Sequence, residues 1–375
     1  MSTTSPLHQA LSLCLERRFT FAAFRVPNGP VTLWAQRNPE LEPVDAAYLG
    51  RLNEVFLVAP FTYDPQATYF VRNDVELTFG ELPVSLDPLH SCIGALRAER
   101  PMPHDADRSV FEDLVRNAKA SIAAGSLDKV VVSRTLTMPL ERAHVATLFE
   151  DALDRMPHAF VALLNTAEHG TWLGASPERL LTAEDELVGL DALAGTRPRS
   201  DAPANAEDWS PKERREQALV TREIVGRLIE LGLPRIALRG PHPVEAGGVS
   251  HLRTEVEADL GNRSLDEVLV AVHPTPAVCG TPRQAANAFI AAHDGPERGL
   301  YTGFWGPWNA DGRTEVFVNI RCLEAFDEAV ALHVGAGVTE GSEPEAEWRE
   351  TEAKAAAWTA AIRSLHTARV SSPAR

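Results

Sequence analysis

The sequence contains little cysteine. Its 375 residues include only Cys14, Cys92, Cys279 and Cys322, and no two of these form a C-x-x-C pair. Four isolated cysteines in a chain of this length do not make a disulfide framework, and their spacing lacks the pattern of a zinc site. We therefore expect reduced thiols and no zinc.

Long apolar runs are also missing. No stretch of 18 consecutive apolar residues occurs, so we expect no membrane-spanning segment. Residues 1–6 are polar and lack the basic and apolar regions of a signal peptide, which predicts a cytoplasmic protein.

Positive charge is scarce. The chain has 36 Lys and Arg against 52 Asp and Glu, a formal net charge of −16. Such a surface repels nucleic acid phosphates and anionic membranes, so we expect neither as a partner. A pocket can reverse this field locally, and an anionic small molecule therefore stays compatible with the composition.

The apolar patterns predict a mixed fold. A chain of this length is compatible with two or three domains, or with one large domain built on sheets. Strands and helices do not alternate regularly, which favours an α+β fold with large antiparallel sheets and helices outside over a doubly wound parallel sheet. Strands are predicted within 19–26, 68–74, 129–136, 160–164, 171–174, 235–238, 315–320 and 329–334, and helices over 105–125, from Ser210 onward and from Ser342 to about His366.

Two predicted helices each carry a pair of glutamates one turn apart. Glu213 and Glu216 lie near the start of one helix, and Glu347 and Glu350 lie near the start of the last. Residues three apart share a helix face, so each pair presents two carboxylates together. Two such pairs could hold a hard cation such as Mg²⁺ and leave room for waters and substrate.

Each pair also has an ordinary structural interpretation. Glu213 could complete a capping box with Ser210, and Glu350 could form an i,i+4 ion pair with Lys354 on a solvated face. Spacing alone does not decide between these interpretations and a metal site.

Several other motifs are ambiguous when taken singly. The run GAGVTEGS, 335–342, could let backbone N–H groups approach a carboxylate, or it could be a tight turn. The proline-rich segment HPTPAVCGTPR, 273–283, is stiff and suits a pocket wall. Glu178 is predicted just past a strand and Lys129 opens another, although a lone Glu or Lys is usually a surface residue.

Taken in order, the motifs resemble those of the chorismate-utilising enzymes, which include isochorismate synthase, salicylate synthase and anthranilate synthase component I. The resemblance covers about residues 105–366. It rests on KVVVSR at 129, GASPERL at 174, LAGTRPR at 193, KERREQ at 212, SHLRT at 250, HPTPAVCGTPR at 273, RGLYTGFWG at 298, NIRC at 319, GAGV at 335 and EWRETEAK at 347.

The resemblance implies a fold and a domain organisation. The family fold packs two antiparallel sheets together, with helices outside and the site in a deep cleft. We therefore expect 1–375 to form a single chorismate-binding domain, with 1–100 as its more variable part. We expect no glutamine amidotransferase domain or subunit, and a monomer.

The proline-rich segment separates reactions within the family. The run from His273 to Ala277 reads HPTPA, which resembles isochorismate synthases, whereas members that eliminate pyruvate typically have threonine in place of Ala277. Arg298, Gly299 and Tyr301 fit the same subgroup. The implied reaction is Mg²⁺-dependent isomerisation of chorismate to isochorismate, by water addition at C2 and loss of the C4 hydroxyl. The alternative is the reaction of a salicylate synthase, in which isochorismate formation is followed by pyruvate elimination.

The pathway that uses the product is not predicted. Isochorismate is a precursor of siderophores, menaquinone and salicylate-derived products, and the sequence selects none of these.

The resemblance also implies residue roles. Lys129 would be the general base toward water and Glu178 the general acid toward the leaving hydroxyl, which requires a neutral lysine and a protonated carboxyl near pH 7. Glu216 and Glu350 would be the principal Mg²⁺ ligands, with Glu213 and Glu347 holding waters around the ion. The implied substrate-binding residues are His251, Ala277, Tyr301, Arg321, Gly335, Ala336, Gly337, Lys354, Gly195 and Thr196.

Two positions depart from the family pattern. Gln217 stands where many relatives have histidine after the metal-binding glutamate, and Val334 stands where alanine is common. Neither change removes a group to which the resemblance assigns a catalytic role.

Overall fold

A computed structural model of the protein describes residues 5–44, 46–61, 68–80, 82–96, 100–246, 248–294 and 298–370. The helices in these ranges are α1 Pro6–Glu16, α2 Arg108–Ala123, α3 Val145–Arg155, α4 Pro211–Leu231, α5 Leu265–Val272, α6 Arg283–His293 and α7 Pro344–Val370. The first nine strands are β1 Phe21–Arg25, β2 Val31–Ala35, β3 Glu42–Val44, β4 Val55–Ala59, β5 Thr68–Arg72, β6 Val75–Phe79, β7 Lys129–Pro139, β8 Phe160–Thr166 and β9 Gly170–Ser176. The later strands are β10 Arg179–Glu184, β11 Leu187–Pro198, β12 Ala237–Ala246, β13 Val249–Asp259, β14 Gly280–Thr281, β15 Phe304–Trp308, β16 Thr314–Val318, β17 Cys322–Ala325 and β18 Ala329–Val338.

The strands form two nine-stranded sheets. The first runs β14-β7-β18-β17-β9-β8-β1-β2-β6 and the second runs β12-β13-β11-β10-β16-β15-β4-β5-β3. The strand pairs within both sheets are antiparallel, as in the long pairing of β7 with β18 and of β11 with β13. Each sheet combines strands from before residue 80 with strands from the rest of the chain. The prediction of one domain over 1–375 stays a prediction.

An aromatic layer packs the two sheets together. Phe160 of the first sheet stacks on Phe317 of the second, with ring centroids 4.2 Å apart. Phe24 of the first sheet lies 5.2 Å from Phe56 of the second in the same layer. Aromatic rings bury large areas and pack with specific geometry, so this layer fixes the face-to-face arrangement of the sheets.

The helices cover the outer faces of the sandwich. Apolar side chains of α1, α3 and α7 pack on the first sheet, and those of α4 and α5 pack on the second. Helices α2 and α6 bury their apolar faces against β7 and β18. The predicted α+β fold, with large antiparallel sheets and helices outside, is confirmed. In the described parts of the chain, no helix is long and apolar enough to cross a bilayer.

The glycine run is a strand, and the expectation of a loop over 335–342 is wrong for its first half. Gly335 to Val338 continue β18, where they pair with Ser133 to Val130 of β7. The turn begins only after Val338, where the Ser342 hydroxyl accepts a hydrogen bond from the Thr339 N–H, 3.0 Å. The last helix accordingly begins at Pro344, two residues after the predicted start at Ser342.

The capping box predicted at the start of α4 does not form. Ser210 is the N-cap residue and the helix begins at Pro211, as expected, but the serine side chain makes no capping hydrogen bond to the helix backbone. The Ser210 hydroxyl donates instead to the Glu213 carboxylate.

Candidate active site

A small buried cavity lies where β7, β18, β11 and β13 meet α4 and α7. Its volume is about 60 Å³, enough for a few water molecules. The structure brings eleven of the predicted site residues together in its lining. They are Lys129, Glu178, Thr196, Glu216, His251, Ala277, Tyr301, Arg321, Gly335, Gly337 and Lys354.

Glu178 is a buried carboxyl in the short connection between β9 and β10. Its Oε1 accepts a hydrogen bond from the Thr275 hydroxyl, 3.4 Å. Burial, together with the charge of Asp191, raises the pKa of Glu178 to about 8, against a smaller opposing effect of Lys129. Burial disfavours an ionised carboxyl, so Glu178 is protonated at pH 7 and can donate a proton.

Lys129 begins β7 and is 1% exposed. Its Nζ lies 2.9 Å from Oε1 of Glu216 on α4. Burial raises the pKa of Glu216, but the charge and hydrogen bond of Lys129 outweigh it and hold that pKa below its usual value. The residue predicted as base and the residue predicted as a metal ligand therefore form a buried ion pair. An ammonium has no lone pair, so Lys129 must lose a proton as well as this partner before it can accept a proton from water.

Two glycines of β18 make room for these side chains. A Cβ at Gly337 would lie 2.5 Å from Glu216 Oε1 and 2.9 Å from Lys129 Cε. A Cβ at Gly335 would lie 2.7 Å from the Tyr301 hydroxyl oxygen. The GAGV motif is thus explained by close approach of side chains to the strand.

Gly337→Ala should disturb the Lys129–Glu216 pair. We expect the methyl group to displace Glu216 and to lower kcat/KM at least about tenfold, with a stability cost of about 1–3 kcal/mol, because overpacking forces side chains off their positions. Steady-state kinetics and thermal melting measure both effects. Gly226→Ala on α4 is the control, since its Cβ would have no neighbour within 4 Å. Equal activity of Gly337→Ala and wild type would contradict this account of the glycine.

His251 and Arg321 form a second polar group on the cavity wall. Arg321 Nη2 lies 2.9 Å from His251 Nε2, while His251 Nδ1 lies 3.3 Å from the Gly195 carbonyl and 3.1 Å from the Thr196 hydroxyl. Because a guanidinium can only donate, Nε2 is the acceptor and the proton is on Nδ1. Burial, reinforced by the charges of Arg321 and Lys354, lowers the pKa of His251 well below its usual value. The imidazole is therefore neutral.

Arg321 and Lys354 supply positive charge to the cavity. Arg321 has a left-handed backbone, φ 52°, and its carbonyl accepts a hydrogen bond from the Trp358 indole, 2.8 Å. Burial lowers its pKa to about 10, so it is still charged at pH 7. Lys354 Nζ donates to the Gly335 carbonyl, 2.8 Å, and contacts Glu350, 2.7 Å. The i,i+4 pair considered from the sequence does form, and it lies beside the cavity.

The remaining predicted carboxylates lie on α4 and α7, beyond the cavity lining. Glu347 Oε1 is 2.7 Å from the ammonium of Lys212, and Glu213 is 3.6 Å from Arg197. Burial and the neighbouring charge of Glu350 raise the pKa of Glu347 to about 7, although Lys212 opposes this. Burial is the larger cause, and the contribution of Glu350 means that the two carboxylates of α7 also repel each other.

This donor set fits Mg²⁺ by its chemistry. Within the described ranges no three Asp, Glu, His or Cys side chains converge as a ready ligand cluster. Mg²⁺ commonly uses one or two carboxylates with waters and substrate oxygens, so one glutamate from α4 and one from α7 would suffice. A divalent cation would also relieve the repulsion that acts on Glu347.

Ala336 and Gln217 have structural surroundings that the sequence did not reveal. Ala336 buries its methyl group in an apolar cluster with Val130 and Val132, and it is absent from the cavity lining. Gln217 Nε2 donates to the Ala192 carbonyl, 2.8 Å, and to the Thr254 hydroxyl, 3.1 Å. Gln217 therefore ties α4 to β11 and β13.

Three polar residues that contact predicted residues or their neighbours were not predicted from the sequence. Thr275 is hydrogen-bonded to Glu178, and Lys212 is paired with Glu347. Asp294 accepts hydrogen bonds from the Ser133 N–H, 2.6 Å, and from Arg298, 2.7 Å. The i,i+4 spacing of Asp294 and Arg298 was a visible signal, whereas the partners of Thr275 and Lys212 are 97 and 135 residues away.

Comparison with known proteins gives a consistent family. A family model for chorismate binding enzymes matches residues 93–363. Isochorismate synthase DhbC of Bacillus subtilis is 33% identical over 271 residues, which are 68% of this chain and 67% of that protein. Anthranilate synthase component 1 of Streptomyces coelicolor is 31% identical over 322 residues, which are 82% of this chain and 62% of that protein. The matches thus span about two thirds of the relatives' length.

A solved structure supports the same grouping. The crystal structure of the DhbC protein of Bacillus anthracis has a TM-score of 0.75 to this fold and 25% sequence identity, and the match covers 95% of this chain and 99% of that one. The family model covers most of the chain, and the structural match extends over 95% of it. The chain therefore belongs to the family of chorismate-binding enzymes.

Proposed function

We propose that the protein is an isochorismate synthase, which converts chorismate to isochorismate with Mg²⁺. The observation that carries the proposal is that a buried carboxyl and a buried amine, both able to transfer protons, line one cavity. Glu178 is held protonated at pH 7, and Lys129, the other proton-transfer group, lines the same cavity. Separate acid and base groups in one enclosed site suit a reaction that both activates and releases water. The similarity to isochorismate synthase DhbC supports this choice.

In the proposed reaction, the two groups move one proton each. Lys129 takes a proton from a water molecule, whose oxygen bonds to C2 of chorismate. The ring double bonds shift, the bond from C4 to its hydroxyl breaks, and Glu178 gives its proton to the departing oxygen. One water is consumed and one is released. Transfer of a proton from Lys129 back to Glu178 through solvent restores the starting state.

The cationic wall of the cavity would bind the substrate's carboxylates. Arg321 and Lys354 contribute positive charge, and the Tyr301 hydroxyl and the backbone around Gly335 are polar groups on the same side. In a site shielded from water a few cations dominate the local field. This explains how a protein of net charge −16 can bind a dianion. Since the cavity holds only a few waters, the lining side chains must move to admit the ring.

Mg²⁺ would be held by Glu216 and Glu350, with Glu213 and Glu347 binding its waters. When bound, the ion offsets the negative charge of the substrate's ring carboxylate. Glu216 and Glu350 would leave their lysine partners, Lys129 and Lys354, to reach it. The same rearrangement takes the carboxylate partner away from Lys129, which releases a proton to solvent and becomes the neutral amine that acts as base.

Glu350→Gln tests this metal assignment. We expect Mg²⁺ affinity to fall about a hundredfold, because an anionic ligand becomes neutral, and turnover at millimolar Mg²⁺ to be lost. Activity should return in part at much higher Mg²⁺ concentrations, which titration of the rate with metal will show. Glu343→Gln, at an exposed carboxylate just before α7, is the control. Unchanged Mg²⁺-dependent turnover in Glu350→Gln would contradict the assignment.

The product profile tests the function itself. The protein is incubated with chorismate, with and without Mg²⁺, and the products are separated by chromatography. We expect isochorismate, formed only with the metal. Salicylate with equimolar pyruvate would instead identify the alternative, a salicylate synthase, and overturn the interpretation of Ala277. No conversion would refute both.

A further inference from the structure

Lys212 occupies an unusual place for a cation. It is the second residue of α4, where the helix macrodipole disfavours positive charge. Its ammonium lies 2.7 Å from Glu347 Oε1 on α7, and the side chain is 32% exposed. A compensating negative environment is therefore needed to hold the ammonium at this position.

That environment is the proposed metal site. Burial lowers the pKa of Lys212, but the charges of Glu347, Glu350 and Glu216 together raise it above its usual value. The Lys212 ammonium is thus attracted by three of the four carboxylates to which the Mg²⁺ role is assigned, and it contacts one of them, Glu347. Two cations in one such group repel each other strongly, so Lys212 and Mg²⁺ compete for the same negative charge.

The structure also provides a place to which Lys212 can move. A second cavity of about 560 Å³ lies beside α4, and both Lys212 and Glu216 line it. Asp128 and Glu340 also line it and offer carboxylates other than Glu347, although Arg215 and Arg222 line the same cavity. The Lys212 side chain therefore borders open space, which gives it room to move away from Glu347.

We propose that Lys212 is a displaceable internal cation, which neutralises Glu347 within the carboxylate group of α4 and α7 when no divalent ion is bound and swings into the neighbouring cavity when one binds. The Lys212 ammonium lowers the affinity of the site for Mg²⁺. Without metal, it reduces the repulsion among the carboxylates of α4 and α7. The inference rests on the metal assignment made under the proposed function, and it concerns binding rather than turnover.

Removal of this charge tests the proposal in the full-length protein without chorismate. We expect Lys212→Met to bind Mg²⁺ at least about tenfold more tightly than wild type by isothermal titration calorimetry, because a competing cation is gone. Lys212→Arg keeps the charge and should stay within about threefold of wild type. Lys119→Met is the matched control, since Lys119 pairs with Glu343 on the surface, 3.4 Å away.

Thermal melting supplies a second readout. Without metal, Lys212→Met should melt below wild type, because the carboxylates lose their counter-charge, and saturating Mg²⁺ should remove the difference. A Lys212→Met variant that binds Mg²⁺ with unchanged or weaker affinity would overturn the proposal. So would a loss of melting temperature that persists in Mg²⁺, since that indicates a purely structural lysine.

The outcomes separate this inference from the proposed function. If wild type makes isochorismate but Lys212→Met has wild-type affinity, only the inference fails. If wild type makes no isochorismate and Lys212→Met still binds Mg²⁺ more tightly, the function fails and the internal cation stands. Absence of Mg²⁺ binding in both proteins would overturn the metal assignment and the inference together.

Discussion

Lys129→Met should lower kcat by about a thousandfold and leave KM for chorismate within a few-fold of wild type. General base catalysis contributes roughly 10²–10⁴ in rate, and methionine keeps the length of the side chain without a basic nitrogen. Lys129 lies at the start of β7 and is paired with Glu216. It is therefore not one of the cations that would bind the substrate's carboxylates, and KM should change little. Steady-state kinetics in saturating Mg²⁺ gives both constants. A kcat within tenfold of wild type would exclude Lys129 as the base.

The structural cost of this substitution can be measured separately. Lys129→Met leaves the buried Glu216 carboxylate without its partner, and breaking a buried pair in this way costs about 3–5 kcal/mol. Lys129→Met/Glu216→Gln removes both charges and should recover most of the melting temperature, while its activity stays lost. If activity returns together with stability, Lys129 has only a structural role.

Glu178→Gln should lower kcat by a similar factor, because the amide cannot give a proton to the departing hydroxyl. The wild-type rate should also fall as pH rises through about 8, the pKa of Glu178, since only the protonated form is the acid. The variant's residual rate should lack this alkaline decrease. The measurement is kcat/KM from pH 6 to 9.5. An identical alkaline limb in Glu178→Gln would show that another group titrates.

The same pKa predicts how stability depends on pH. The pKa of Glu178 is higher in the folded protein, about 8, than its ordinary 4.5. Its contribution to stability is therefore complete below pH 4.5 and is lost as pH rises through about 8. Glutamine does not ionise, so the melting temperature of Glu178→Gln relative to wild type should rise between pH 5 and pH 8. Glu230→Gln, at an exposed position of α4, should show no such trend.

Local patterns in the sequence predicted much of the fold. The β-branched run from Lys129 is a strand, and the predicted start of α4 at Ser210 is in place. Sheet order was not predictable in this way, because it depends on contacts between distant segments. The pairing of β1 with β8, for example, joins residues about 140 positions apart.

The glycine run shows why one local pattern misled the prediction. Glycine destabilises the interior of a strand, so GAGV indicates a turn unless neighbouring side chains occupy the space that a Cβ would fill. Here Glu216 and Tyr301, from other parts of the chain, fill that space. Only the folded structure reveals such a requirement.

Motif order grouped residues that line one cavity, but it did not predict how they pair. Motif order brought Lys129, Glu178 and Glu216 into one hypothesis, and the structure places them around one cavity. Motif order could not show that Lys129 pairs with Glu216, or that Lys212 pairs with Glu347, because both are contacts between separate elements. The residue roles, the monomeric state, the lack of an amidotransferase subunit and the cytoplasmic location stay predictions.

The central claim is that solvent water adds to chorismate while the C4 hydroxyl leaves. It is tested most directly by running the reaction in H₂¹⁸O with Mg²⁺ and analysing the earliest product by mass spectrometry. The account predicts isochorismate that carries one ¹⁸O atom, at C2. Unlabelled isochorismate would mean that the hydroxyl migrates without solvent, and it would contradict the assignment of Lys129 and Glu178 as base and acid.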